Sequence, residues 1–127
     1  MTQTRSSRAR HVLVLAWSAF WIAATFLLAH HGWTDYDETR TLNLTGVIQE
    51  SSYESPHGTI RLKVSGENPA TWHCILAPPS RMTRRGLSAE MLKVGATATV
   101  VGYPHRKDAG EMRTERITVE GKTVELR

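Results

Sequence analysis

Six histidines are the side chains of this 127-residue chain whose type and spacing most readily suggest chemistry: His11, His30, His31, His57, His73 and His105. A neutral imidazole is a good ligand for Cu²⁺ and Zn²⁺. The adjacent pair His30-His31 directly follows an apolar segment that ends at Ala29. Cleavage after Ala29 would give His30 a free α-amine, whose pKa of about 7.7–8.0 lets it give up its proton to a metal ion. We therefore predict a metal site at this new amino terminus.

A chelate formed by the His30 amine and ring needs at least one more nitrogen ligand. His57, in the turn Ser55-Pro56-His57-Gly58, and His31 are the predicted sources. Copper is favoured over zinc because Cu²⁺ has the highest affinity for nitrogen ligands among the common divalent ions. Weaker candidates are His105, in the loop after Tyr103-Pro104, and Asp35 and Asp37, as a carboxylate ligand or as hydrogen-bond partners of the rings. The alternative is that these groups are solvated surface side chains.

The remaining chemistry-bearing residues form no catalytic pattern. Cys74 is the only cysteine, so the chain has no internal disulfide and no CxxC motif. Its place in the apolar run Thr71 to Leu76 predicts a buried thiol. No nucleophile motif, glycine-rich phosphate loop or paired carboxylates can be placed by spacing. The sequence therefore favours a binding protein over an enzyme, and an oxidase built on the predicted copper site is the least favoured interpretation.

The amino-terminal segment, residues 1–29, has the pattern of a secretory leader. Three arginines (Arg5, Arg8 and Arg10) precede eighteen uncharged residues, 12–29. This pattern predicts export to the periplasm or cell exterior, with cleavage after Ala29. Eighteen apolar residues are also just long enough to cross a bilayer, so an anchor in the inner membrane is the alternative. The chain would touch the membrane through residues 12–29 only if the leader is retained.

The net charge of +4 belongs mostly to this leader, because the rest of the chain carries 13 of the 16 basic residues and all 12 acidic ones. A near-neutral domain without aromatic residues among its basic ones argues against a nucleic-acid partner. Arg81, Arg84 and Arg85 are spaced along one side of a predicted helix. A metal-free binding module, whose barrel face or Arg81–Arg85 edge engages an envelope protein, is therefore the second hypothesis.

The elements that would position these residues are short strands. Residues 30–41 are predicted to be a polar connector and residues 42–127 to be one domain. Alternation of apolar and polar residues predicts strands at 42–53, 59–64, 71–76, 96–103, 113–119 and 123–126. Ser80 and Gly86 bracket one short helix and Ser88 begins another. Gly46 predicts a bulge or bend. Three strands, a helical insert and further strands, all antiparallel, indicate an all-β, OB-like small barrel, and a generic barrel or sandwich is the alternative.

Motifs along residues 29–127 resemble those of a family of small exported bacterial proteins known only as a domain of unknown function, numbered 6152. The matching residues are Ala29-His30-His31, Asp35-Tyr36-Asp37, Leu44-Thr45-Gly46-Val47, Pro56-His57, Trp72, 78–87 (PPSRMTRRGL), Gly95, Gly102-Tyr103-Pro104 and Glu125-Leu126. The family pattern has Asn where this chain has Ser55. The resemblance implies an OB-like fold and assigns no activity.

Overall fold

The computed structural model describes residues 34–127, of which Asp35–Arg127 form one compact unit. The predictions that concern residues 1–33, including the leader and the pair His30-His31, lie outside the described residues. Among the described residues, no helix is long and apolar enough to cross a membrane.

Six strands and two short helical segments make up this unit. They are β1 (Leu42–Ser52), β2 (Thr59–Lys63), β3 (Thr71–Ile75), helix α1 (Pro79–Arg84), a 3₁₀ turn (Glu90–Leu92), β4 (Thr97–Pro104), β5 (Glu111–Val119) and β6 (Lys122–Glu125). All six predicted strands and both predicted helical pieces are confirmed, with ends shifted by one or two residues. Alternate residues of β2, β3 and β4 are buried because successive side chains point to opposite faces of a sheet.

Strands β1 to β5 close into a five-stranded barrel, and β6 pairs with β5 alone. The hydrogen-bonded order is β3-β2-β1-β4-β5-β6, and an additional pairing joins β3 to β5. That closing pairing is parallel and only three residue pairs long, His73 to Glu111, Cys74 to Met112 and Ile75 to Arg113. The expectation that every pairing is antiparallel is therefore wrong at this one seam. Mainly β structure and barrel closure agree with the OB-like prediction.

Inward-facing side chains of the strands fill the barrel. Ile48, Leu62, Val100 and Ile117 are each completely buried. The predicted bulge in β1 does not lie at Gly46. The register of β1 against β2 shifts further along the strand, between Ile48 and Glu50. A side chain at Gly46 would instead collide with the backbone carbonyl of Lys63, so the glycine permits close approach of two strands.

Helix α1 lies between β3 and β4 in the chain and packs Met82 into the core. It begins at Pro79, one residue before the predicted cap at Ser80, and no side chain caps its amino terminus. A proline suits the first turn because its missing N–H has no partner there in any helix. The helix stops before Gly86, as predicted, since Gly86 has a φ of 82° that other residues rarely adopt.

The predicted burial of the Cys74 thiol can be tested by its chemical reactivity. Cys74 is 0% exposed, and burial raises the pKa of its thiol from 9.0 to about 12. Since only the thiolate reacts, native protein at pH 8 should react with a disulfide reagent about 1,000-fold more slowly than the unfolded chain. Labelling kinetics with and without denaturant measure this ratio. Rapid labelling of folded protein would show that β3 opens to solvent.

Candidate metal site

Three possible metal ligands converge where β4 passes into β5. His105, Asp108 and Glu111 each offer a nitrogen or oxygen atom, and these atoms all lie within 4.8 Å of one another. The loop between the strands positions them, since the His105 N–H donates to the Glu111 carbonyl at 2.9 Å. Gly110, just before Glu111, has a φ of 84° and makes the tight turn possible. One imidazole and two carboxylates are a mixed ligand set that suits transition-metal ions.

The ring of His105 is held in one orientation by its own loop. Nδ1 of His105 accepts the backbone N–H groups of Lys107 at 3.2 Å and Asp108 at 2.9 Å. A nitrogen that accepts two amide protons carries no proton itself. The approach of an Asp108 carboxylate oxygen to Nδ1 at 3.7 Å is therefore not an ion pair. A cation that binds Nδ1 must displace these two amides.

Tyr36 packs against one side of this cluster. Its ring packs edge-on against His105 with centroids 5.1 Å apart. Its hydroxyl donates to Oε1 of Glu111 at 2.8 Å. Burial and this hydrogen bond to a carboxylate raise the pKa of Tyr36 well above its usual value. The phenol therefore stays protonated and occupies one of the two oxygens of Glu111.

The segment around Tyr36 is docked on the barrel by its backbone. Asp37 donates its N–H to the Pro104 carbonyl at 2.9 Å, and Arg106 donates its N–H to the Asp35 carbonyl at 2.7 Å. The Asp37 carboxylate accepts the hydroxyl of Thr39 at 2.6 Å, and this bond lowers the pKa of the carboxyl. Neither Asp35 nor Asp37 is among the three clustered ligands.

A row of charged and polar side chains extends from this cluster across the outer face of the barrel. Successive cross-strand partners are Glu50 on β1, Arg61 on β2, His73 on β3 and Glu111 on β5. Arg61 lies 3.2 Å from Glu50, and Nδ1 of His73 lies 3.4 Å from Oε2 of Glu111. We call Glu50, Arg61, His73 and Glu111 the cross-strand row. Every member faces outward because partners in register share a face of the sheet.

A groove of about 220 Å³ runs over part of this row. Its lining consists of Glu50, Ser51, Ser52, Thr59, Arg61 and His73. The lining combines hydroxyl groups with both signs of charge and has no aromatic side chain other than the imidazole. A surface of this kind can hydrogen-bond a small polar ligand or a polar segment of a partner.

His57 lies in a different, positively charged setting. It is exposed in the loop between β1 and β2, and its pKa is lowered by partial burial and by Arg127, Arg81 and Arg113. The lowered pKa leaves the imidazole neutral at pH 7 and able to coordinate. Three nearby guanidinium groups nevertheless make the site electrostatically unfavourable for a cation. The described part of the chain does not bring His57 into the cluster with His105.

Two of the three arginines of the predicted binding edge, Arg81 and Arg85, hold the last residues of the chain. Arg85 donates to the carbonyls of Glu125 at 2.7 Å and Arg127 at 2.9 Å, and Arg81 donates to that of Leu126 at 3.3 Å. These bonds cap carbonyl groups beside β6, the last strand of the sheet. Carbonyl groups occupied at the end of an edge strand are not free to pair with another chain. Arg81 and Arg85 are thus engaged within the domain.

Sequence reasoning missed Asp108, Glu111 and His73 as site residues. His73 has a detectable signal, because it lies between the buried Trp72 and Cys74 and must therefore face outward on its strand. Glu111 has none, since the predicted fifth strand begins only at residue 113. The parallel seam between β3 and β5 is what places the two side chains together.

Comparisons with known proteins identify the family of this chain. The sequence profile of a family of unknown function, DUF6152, matches residues 19–123. No curated protein matches the chain. Among solved structures, the chain is similar to a chain in the crystal structure of a complex of TiaS with a tRNA and ATP, with 19% identity and a TM-score of 0.47. That match covers 72% of this chain and 19% of the other, and a likeness at this level says nothing about function.

Proposed function

The chain belongs to the DUF6152 family, and we propose that it binds a divalent transition-metal ion, with copper preferred over zinc. The observation that carries the proposal is the convergence of His105, Asp108 and Glu111 within 4.8 Å. A nitrogen and two carboxylate oxygens would supply three ligands to Cu²⁺ or Zn²⁺, with water completing the coordination, and Cu²⁺ binds such sets more tightly. Two carboxylates also balance the charge of the ion.

We propose that the protein acts outside the cytoplasm and holds its ion without catalysing a reaction. The support for export is the basic and then apolar pattern of residues 1–29, interpreted as a signal peptide or as a retained membrane anchor. A free amine at His30, with His31 and His57, is the ligand set that the sequence suggests. The cluster at His105 needs neither cleavage nor the leader.

Titration of the metal-free protein with Cu²⁺, followed by calorimetry, tests the proposal. Asp108→Asn should weaken binding by about tenfold or more, because the amide keeps the shape of the side chain and loses the charge that a hard ligand supplies. His30→Ala, His31→Ala and His57→Ala should change the affinity little if the cluster is the main site. Wild-type affinity in Asp108→Asn with lost affinity in His30→Ala would favour the amino-terminal set instead.

The groove on the cross-strand row supports a second function, that of a metal-free module binding a small polar ligand or an envelope protein. By analogy with OB-fold proteins, the face formed by β2 and β3 is where such a barrel commonly binds its ligand. Arg61 and His73 lie on this face. Two results together would favour this second function. The protein would bind no divalent ion, and a polar ligand would protect Arg61 and His73 from chemical modification.

A further inference from the structure

We infer that His73 supplies the imidazole that anchors the ion together with Glu111, so that a bound ion joins the two strands whose pairing closes the barrel. This inference rests on the proposed function and extends it. It adds a ligand from β3 that lies beside Glu111 but outside the group of His105, Asp108 and Glu111, whose ligand atoms already converge.

The spacing of the two side chains fits a shared ion. Nδ1 of His73 lies 3.4 Å from Oε2 of Glu111. Two donor atoms about 2.1 Å from a tetrahedral ion lie roughly 3.4 Å apart. The pair is therefore already separated by the distance that a common ion would impose, and little movement of either side chain is needed.

The other oxygen of Glu111 makes this arrangement more favourable. Oε1 accepts the hydroxyl of Tyr36 at 2.8 Å, while Oε2 faces His73. A carboxylate can thus keep its bond to Tyr36 and still offer one oxygen to the ion. A hydrogen bond from outside the coordination sphere also fixes the orientation of the ligand.

His73 is the more available of the two imidazoles. Its side chain is 34% exposed, against 14% for His105. Nδ1 of His105 already accepts two backbone amides, and an ion that binds this nitrogen must displace both. His73 carries no such penalty, because its Nδ1 already points at a carboxylate.

Because of the position of this pair, an ion bound to both side chains would hold β3 and β5 together where their pairing closes the barrel. His73 and Glu111 are the first of only three residue pairs between β3 and β5. Next to them, the His73 N–H donates to the Gly110 carbonyl at 2.7 Å. An ion bound to both strands is lost when the seam opens, so binding must stabilise the closed barrel by the same free energy.

The ligand set also defines the class of ion. Two imidazoles, if His105 is recruited, or one imidazole with the Glu111 and Asp108 carboxylates, favour Cu²⁺, Zn²⁺ and Ni²⁺. Mg²⁺ and Ca²⁺ prefer sites made of oxygen atoms alone. We therefore expect His73 to contribute to transition-metal binding and to contribute nothing to binding of Mg²⁺.

The test compares His73→Gln with Thr71→Gln, which places the same side chain on the same outward face of β3. His73→Gln should weaken Cu²⁺ binding by about tenfold or more, and Thr71→Gln should leave it unchanged. Electron paramagnetic resonance of the Cu²⁺ complex should lose one imidazole nitrogen in His73→Gln. Circular dichroism of both metal-free variants confirms that they fold.

Amide exchange gives a second, independent measurement. Zn²⁺ at about 100 times its dissociation constant should slow exchange in β3 and β5 of the wild type by up to about 100-fold. It should have no such effect in His73→Gln. Absence of metal binding in the wild type would defeat the proposed function. Tight binding that is equal in both variants, with an unchanged nitrogen count, would overturn this inference and leave the proposed function standing.

Discussion

Glu111→Gln is expected to weaken Cu²⁺ binding by about 100-fold, because it removes the charged ligand that lies beside both proposed imidazole ligands, His73 and His105. Loss of a partner that only orients a ligand already costs about 10–100-fold, so loss of the ligand itself belongs at the upper end. Glu111 is near His105 and Asp108 and lies 3.4 Å from His73. Among the clustered ligands, Glu111 is the one that both proposed imidazoles approach.

The substitution is chosen to spare the fold. Glutamine has the size of glutamate, and its amide oxygen can still accept the hydroxyl of Tyr36. Calorimetric titration with Cu²⁺ measures the change in affinity, and urea unfolding of the metal-free protein checks stability. The matched control is Glu90→Gln, which removes an exposed carboxylate from the 3₁₀ turn. Equal affinity in wild type, Glu111→Gln and Glu90→Gln would contradict a site at the β4–β5 loop.

Gly102→Ala is expected to destabilise the barrel by about 3 kcal/mol or more, as overpacking against a fixed backbone does. A β-carbon at Gly102 would overlap the carbonyl oxygen of Arg113 and crowd the Cα atom of Thr114. These are backbone atoms of β5, so they cannot rotate away. The register of β4 against β5 also shifts between Val101 and Gly102, beside this close approach of the two backbones.

Gly66→Ala is the control, because it separates crowding from backbone conformation. Gly66 has a φ of 79° and no heavy atom within 4 Å of an added β-carbon. Alanine there costs about 1 kcal/mol for the left-handed conformation alone. Urea unfolding followed by circular dichroism measures both losses. Similar losses in the two variants would show that β4 and β5 can separate to make room at Gly102.

Local patterns of this sequence are sufficient to predict its elements. Ile60 and Leu62 alternate with polar residues, and Gly86 marks the end of a helix, so their environments follow from neighbours in the chain. The inward face of β3 follows for the same reason. Prediction of the site is less successful, because the ligands are separated along the chain. The sequence identifies His105 only as a weak candidate and does not identify Asp108, Glu111 or His73.

The sequence by itself determined six short strands, two helical pieces, a buried thiol and a mainly β fold, because period-two burial and turn residues act over only a few positions. Tertiary structure alone decided that β3 runs parallel to β5, since pairing between distant strands leaves no local pattern. That pairing sets His73 beside Glu111. Long-range packing likewise places His57 near three arginines, where charges distant in sequence combine their fields.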